Sequence, residues 1–190
     1  METAYFFGYG SLVNRATHDY PEAQPAWVIG WQREWKKTAY RMAAFLSVTQ
    51  VVGAELGGLI AAVPGQDWAA LDLREAAYFR KKVAVRTAQA TQRAEIYQVH
   101  ANHVTEDHET HPILLSYLDT VLQGYAQEFG PSGVADFFAT TSGWELGILN
   151  DRDAPIYSRT QPLLRSERDM IDRHLADVGC KIVLQDPRRA

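Results

Sequence analysis

The spacing of apolar and polar positions predicts strands early in the chain and helices late. An aromatic run over residues 5–7 reads as a first strand, broken at Gly8. Residues 26–38 carry Trp27, Trp31 and Trp35 together with Val28 and Ile29. Tryptophans four apart also fit a helix, but Gly30 and the β-forming neighbours favour a strand. Residues 44–52 and 55–63 flank Gly53 and predict a strand pair. Gly57 and Gly58 mark a bulge or a close backbone approach there. After Pro64-Gly65, Asp67 is placed to cap a helix reaching about residue 79, with Lys81 and Lys82 suited to its C-terminal end. Residues 83–87 and 94–99 are again β-rich, and 100–111 form a polar, histidine-bearing loop.

Pro112 opens the clearest helix. Leu114, Leu115, Leu118, Val121, Leu122 and Tyr125 share one face, and Gly130-Pro131 stops it. A short helix at 135–140 follows. Residues 143–165 are irregular, with a turn at Asn150-Asp151-Arg152-Asp153. Ser166 and Asp169 make a capping pattern for a last helix that carries Met170, Ile171, Leu175 and Val178 and ends at Gly179. This order lacks regular β-α alternation. It predicts an α+β fold: a mostly antiparallel or mixed sheet, open or closed into a barrel, with helices packed outside.

The chain has 190 residues, 46% hydrophobic and 22% charged, which predicts one globular domain with a real core. A net charge of −4 argues against a nucleic-acid partner, and Arg188-Arg189 is only a short basic tail. Cys180 is the one cysteine, which fits a reducing compartment. No apolar run reaches the ~18 residues that span a bilayer. A cytoplasmic protein without membrane contact is the expectation, as monomer or homodimer.

Two stretches carry chemistry. The first is the turn Gly8-Tyr9-Gly10-Ser11-Leu12. Glycines permit sharp or positive-φ geometry, and such turns aim backbone N–H groups at carboxylates or oxyanions. Sharper motifs are absent: a dinucleotide fingerprint would need glycine at Val13, a nucleophile elbow would need it at Tyr9 and Val13, and no phosphate-binding loop occurs. A plain strand-turn remains the alternative.

The second is Glu75. At about 100° per residue it falls at about −20° from Trp68, between Leu71 at about −60° and Phe79 at about +20°. A carboxylate on an apolar stripe must be paired or line a cavity, and burial raises its pKa. A structural salt bridge, for example to Arg74 or Arg80, and a proton-transfer role both fit. Tyr78, Tyr157 with Arg159, and Tyr40 with Arg41 are further candidates for lining a pocket. His100, His103, His108 and His111 lie within twelve residues, which leaves open a metal site and a metal-dependent hydrolase. No H-E-x-x-H helix is present, and the expectation is no metal and no cofactor.

The YGSL turn after the first strand, followed about sixty residues later by L-D-L-R-E-A-A-Y-F-R, resembles the γ-glutamylcyclotransferase superfamily, which includes ChaC-like and AIG2-like proteins. GWQREW at 30–35 and Gly57-Gly58-Leu59-Ile60 fit the same pattern, over roughly residues 5–125. The run NDRDAPIYSR resembles a downstream segment of some members. Residues from about 130 stand outside the short family core and read as a helical extension packed on it. The resemblance implies a small β-barrel with flanking helices. By position, it implies that Glu75 is catalytic and that Gly8, Tyr9, Gly10, Ser11 and Leu12 bind substrate. It further implies cyclisation of a γ-glutamyl amide to 5-oxoproline without cofactor. Leu12, found in ChaC-like members where others carry Asn, leans towards glutathione. A non-catalytic binding or interaction module on the same fold is the other outcome.

Overall fold

The computed structural model describes residues 3–184, so Arg188 and Arg189 lie outside the described residues. Five strands close a mixed barrel: β1 (Ala4–Gly8), β2 (Gln24–Thr38), β3 (Arg41–Val63), β4 (Tyr78–Arg86) and β5 (Thr91–Val99). The order is β3-β1-β5-β4-β2, and β2 returns to β3. Only β1 and β5 run parallel; the other barrel contacts are antiparallel. The β2–β4 seam consists of one pair, Trp27 with Arg86. The Arg86 guanidinium lies 5.1 Å from the Trp27 ring and 2.7 Å from Glu55 there.

The tryptophan spacing resolves through a bulge. Gly30 has φ +84°, and the register slips between Ile29 and Trp31. The slip inverts side-chain parity. Ala26 and Val28 face inward before it; Trp31, Arg33 and Trp35 face inward after it, while Trp27 turns out against Phe129. The strand pair expected around Gly53 is instead one strand, β3, and both halves pair with β2. Gly53 (φ +81°) lies opposite the Gly30 bulge rather than at a hairpin tip.

The expected helix over 67–79 is shortened to α1 (Ala69–Arg74). Tyr78 and Phe79 belong to β4, whose ladder with β5 runs from Tyr78–Val99 to Arg86–Thr91. Short helices are marginal alone, and nine paired strand residues outweigh one more helical turn. Lys81 and Lys82 are therefore strand residues, and Glu75 stands just beyond the helix end at φ −102°, ψ 33°. Asp67 still serves α1: its Oδ1 accepts from the Ala69 N–H at 3.1 Å.

After the barrel, β6 (Ile113–Leu114) leads into α2 (Leu115–Thr140). Gly130 leaves helical geometry at φ 69°, ψ −170°, so within the range of α2 the first helical segment stops there, as expected, and a second short one follows from Pro131. Next come β7 (Thr141–Ser142), which adds to β2, and β8 (Ile148–Asn150). The chain continues with α3 (Arg165–Val178), whose cap is Leu164 with Glu167 rather than Ser166 with Asp169, and β9 (Ile182–Leu184). Strands β6, β8 and β9 form a small parallel sheet. Gly124 brings the α2 backbone against Asn14, since a methyl there would lie 2.6 Å from the Asn14 nitrogen. One apolar core joins the barrel interior to α2 and α3. Among the described residues no helix is long and apolar enough to cross a membrane.

Candidate functional site

The glycines of the first turn serve close packing rather than positive φ. Gly10 has φ −114°. A methyl on it would lie 2.6 Å from the Tyr117 hydroxyl, and one on Gly8 would meet the Leu12 side chain. The turn tightens into a 3₁₀ segment, Ser11–Val13, in which the Val13 N–H donates to the Gly10 carbonyl at 2.9 Å. Residues Gly8 to Leu12 line a narrow cleft of about 30 Å³ together with Glu75, Tyr78 and Tyr117. A larger cavity of about 210 Å³ adjoins it and shares Ser11, Leu46, Glu75, Tyr78 and Tyr117.

Glu75 is 16% exposed. Its Oε1 lies 3.3 Å from Arg74 Nε, so the salt bridge weighed from the sequence does form. Arg74 also donates to Ser11 Oγ at 3.1 Å and to the Thr17 carbonyl at 2.9 Å, which ties the carboxylate to the turn. Burial pushes the Glu75 carboxyl above its ordinary range, with Arg74 and then Arg159 opposing. A raised pKa means that the folded chain holds this proton more tightly than the unfolded chain. Stability contributed by the protonated form is therefore lost as pH rises from the ordinary glutamate value through the raised one. Across that window the wild type should lose stability relative to Glu75→Gln, read from denaturant midpoints at matched pH. A flat or inverted difference would mean that Arg74 outweighs burial.

Phenols surround this carboxylate. Tyr9 donates to the Tyr97 carbonyl at 2.7 Å and Tyr78 to the Leu46 carbonyl at 2.9 Å, so both rings are fixed. Burial holds Tyr9, Tyr78 and Tyr117 well above the usual phenol range, so they remain protonated donors. The Tyr117 and Tyr157 rings meet edge to face at 5.0 Å. Tyr40, Arg41, Tyr157 and Arg159 all line the larger cavity with Tyr78. Tyr117 was missed. It precedes Leu118 on a helix whose apolar stripe drew the reading, and nothing in its spacing separates it from packing residues.

The second missed residue is Asp151, hidden in what read as a turn. It is fully buried. It accepts from the Ser116 N–H at 2.8 Å, the Ser116 hydroxyl at 2.6 Å and the Ile156 N–H at 2.9 Å. It thereby supplies the cap that Leu114 cannot give α2, and it pins the strap carrying Tyr157 and Arg159. Asp151→Asn turns an amide donor towards one of these donors. It should cost about 1–3 kcal/mol and speed hydrogen exchange over 154–160. Unchanged exchange there would show that the strap is held by other contacts.

The His100 and His103 rings lie 5.5 Å apart, but among the described residues no third candidate ligand joins them to make a metal site. His103 Nδ1 faces the Ala77 carbonyl at 3.0 Å, and buried His111 lies between the Arg41 carbonyl and Asp107, each at 3.0 Å. Among the described residues no group of three or more His, Cys, Asp or Glu side chains is placed to hold a metal ion. The spacing that raised a metal-dependent hydrolase thus has no matching arrangement.

No family model and no curated protein matches the sequence significantly. Solved structures do match. One is a γ-glutamyl cyclotransferase with a TM-score of 0.59 at 16% identity, covering 90% of this chain and 99% of that one. An uncharacterised human protein gives 0.60 at 16% identity with the same coverage. YkqA from Bacillus subtilis gives 0.60 at 16% over 75% of this chain and 57% of its own. At these identities the likeness is one of architecture, and it agrees with the five-stranded barrel and its helices: the chain has the γ-glutamylcyclotransferase-like fold.

Proposed function

We propose that the chain is a γ-glutamylcyclotransferase-type enzyme. It would convert a γ-glutamyl amide into 5-oxoproline and a free amine. The observation that carries this reading is a desolvated carboxylate, Glu75, on a cavity whose adjoining cleft is lined by the Gly8–Leu12 turn. The fold shared with a γ-glutamyl cyclotransferase supports it.

In this reaction the α-amine of the γ-glutamyl unit attacks its own side-chain carbonyl. A carbon–nitrogen bond closes the five-membered ring and the original amide bond breaks. The proton leaves the attacking nitrogen and is delivered to the departing one. Glu75 takes it in the first step and returns it in the second. The turn holds the α-carboxylate or the developing oxyanion. Because both reacting groups belong to one molecule, most of the acceleration comes from holding the folded conformer, and effective molarities of about 10⁵–10⁸ M are within reach of aligned closures. The phenols of Tyr78 and Tyr117 complete the wall of the cleft.

The test is 5-oxoproline formation from a panel: glutathione, γ-glutamyl amino acids, γ-glutamyl amines and γ-glutamylated intermediates. Because Glu75 must be ionised to accept the proton, the acid limb of kcat/KM should lie above the ordinary glutamate value. No turnover on any member, or an acid limb at or below that value, would remove Glu75 from the chemistry.

A further inference from the structure

The Leu12 end of the glycine turn is held by a titratable ring. His18 follows the 3₁₀ turn Arg15–Thr17, and its two ring nitrogens face unlike partners. Nε2 lies 3.0 Å from the Leu12 carbonyl, and the Tyr20 N–H donates to Nδ1 at 3.2 Å. A carbonyl only accepts and a backbone N–H only donates. Both bonds are therefore made only by the neutral ring with its hydrogen on Nε2. The Phe6 ring meets the imidazole edge to face at 5.9 Å, and the Tyr20 ring lies 5.6 Å from it.

The Leu12 carbonyl belongs to the peptide unit whose N–H, on Val13, closes the turn on the Gly10 carbonyl at 2.9 Å. One end of that unit is thus fixed by Gly10 and the other by His18, and Leu12 itself borders the cleft.

The charged groups facing the ring are Arg74 from α1, Arg15 from the 3₁₀ turn, and the adjacent Asp19. Arg74 donates to the Thr17 carbonyl, one residue before His18, and Arg15 pairs with Glu128 of α2. The Tyr20 phenol, raised by burial, stays neutral. Burial holds the His18 imidazole below the ordinary histidine range; the bond to Leu12 opposes this, the two arginines add to it, and Asp19 opposes it.

We propose that His18 is a positioning residue for the turn and an acid-sensitive latch on it. The neutral ring holds the Leu12 carbonyl. A proton taken up at Nδ1 sets one N–H against another, that of Tyr20, so the ring leaves its place and releases the Leu12–Val13 peptide. The folded chain binds this proton less readily than the unfolded chain. The stability that the latch contributes is therefore complete above the ordinary histidine value and is lost as pH falls through the lowered folded value. The latch is a property of the turn and does not rest on the cyclotransferase reading, and its readouts need no substrate.

The experiment is a pH titration by proton–nitrogen correlation spectra of the wild type, His18→Gln and His18→Leu. It follows the ring nitrogens of His18 and the amides of Val13 and Tyr20. In the wild type the ring should be neutral with its hydrogen on Nε2 at neutral pH, and should titrate once, below the ordinary histidine value. The same transition should appear in both amides, with exchange of the Tyr20 N–H about tenfold faster below it, the scale of one lost hydrogen bond. In His18→Gln an amide nitrogen reaches the place of Nε2 and does not titrate, so the Val13 amide should keep its neutral-pH position and the transition should vanish. His18→Leu, without a donor, should displace the Val13 amide at every pH. Should that variant fail to fold, the wild type and His18→Gln still decide. A transition that persists in His18→Gln would assign it to Glu75 or Asp19 and overturn the proposal. So would a ring that titrates without moving the two amides, or one already protonated at neutral pH.

Discussion

Glu75→Gln should lower the formation of 5-oxoproline by about 10²- to 10⁴-fold while leaving the fold and substrate binding in place. The amide keeps the shape of the carboxylate but cannot accept the proton of the attacking amine. Above the raised pKa of Glu75 the variant should be somewhat more stable than the wild type, as the net of two opposing effects. The variant loses the ion pair at 3.3 Å to Arg74, but it no longer buries a charge whose desolvation exceeds the help of its arginines. Arg74 retains Ser11 and Thr17 as partners, so the turn stays tied. The measurement is turnover and Kd side by side. Turnover within about tenfold of wild type would assign the proton to another group, and a lost Kd with lost turnover would assign Glu75 to binding.

The second large effect is on folding. Arg33→Met should destabilise the chain by about 3 kcal/mol or more. Arg33 is fully buried. Its Nη1 donates to the Gly57 carbonyl at 3.1 Å and to the Tyr125 hydroxyl at 2.8 Å, and its Nη2 donates to Thr140 Oγ1 at 2.7 Å. Its Nε donates to Thr141 Oγ1 at 3.0 Å, and Asp136 stands 3.7 Å from Nη2. The guanidinium also lies 4.6 Å from the Phe137 ring centroid. Methionine matches the stem and abandons every acceptor: Gly57 on the barrel, Tyr125 before the kink of α2, Thr140 beyond it and Thr141 in β7. Arg33→Lys should fail nearly as badly, because a single ammonium cannot serve acceptors spread around a planar fork. For a chain of this size the loss amounts to roughly 6–12 °C in Tm. A change below about 1 kcal/mol would mean that water takes over the acceptors.

The strands were legible in the sequence, their closure into a barrel came with the family resemblance, and the details were read poorly, for reasons that lie in particular residues. Four-residue tryptophan spacing looked ambiguous because a one-residue bulge at Gly30 inverts parity inside a strand, and spacing alone does not announce a bulge. Gly53 looked like a hairpin tip because the long reach of β3 depends on β2 lying beside it throughout. The helical stripe through Glu75 was drawn too long. The carboxylate is buried, yet at a helix end, because pairing of Tyr78 and Phe79 with β5 is a tertiary fact that local periodicity does not contain. The parallel sheet of β6, β8 and β9 joins segments that are far apart in sequence, and each strand is too short to register. Tyr78, Tyr157 with Arg159, and Tyr40 with Arg41 could be named from the sequence as candidates for the cavity, though packing on the core or surface fitted each of them as well. Tyr117 and Asp151 could not, since a tyrosine in an apolar helix and an aspartate in a turn look ordinary until their partners are known.

The buried arginine also acts electronically at a distance. The Tyr125 hydroxyl accepts from Nη1 and has two acceptors in reach of its one hydrogen, the Gly57 carbonyl at 2.8 Å and the Tyr9 carbonyl at 2.9 Å; because Arg33 also serves Gly57, donation to Tyr9 leaves no acceptor unmet. The Tyr9 carbonyl belongs to the peptide unit whose other end is the Gly10 N–H. A donor accepting from a cation donates more strongly, and a carbonyl that accepts such a bond draws electron density from its own amide nitrogen. In that orientation the permanent charge of Arg33 is relayed through one phenol into the Tyr9–Gly10 amide, in a turn that borders the cleft. Replacing Tyr125 by phenylalanine would leave the outline of the turn and remove the relay, so that one amide of the turn becomes a weaker acid with its atoms in the same place.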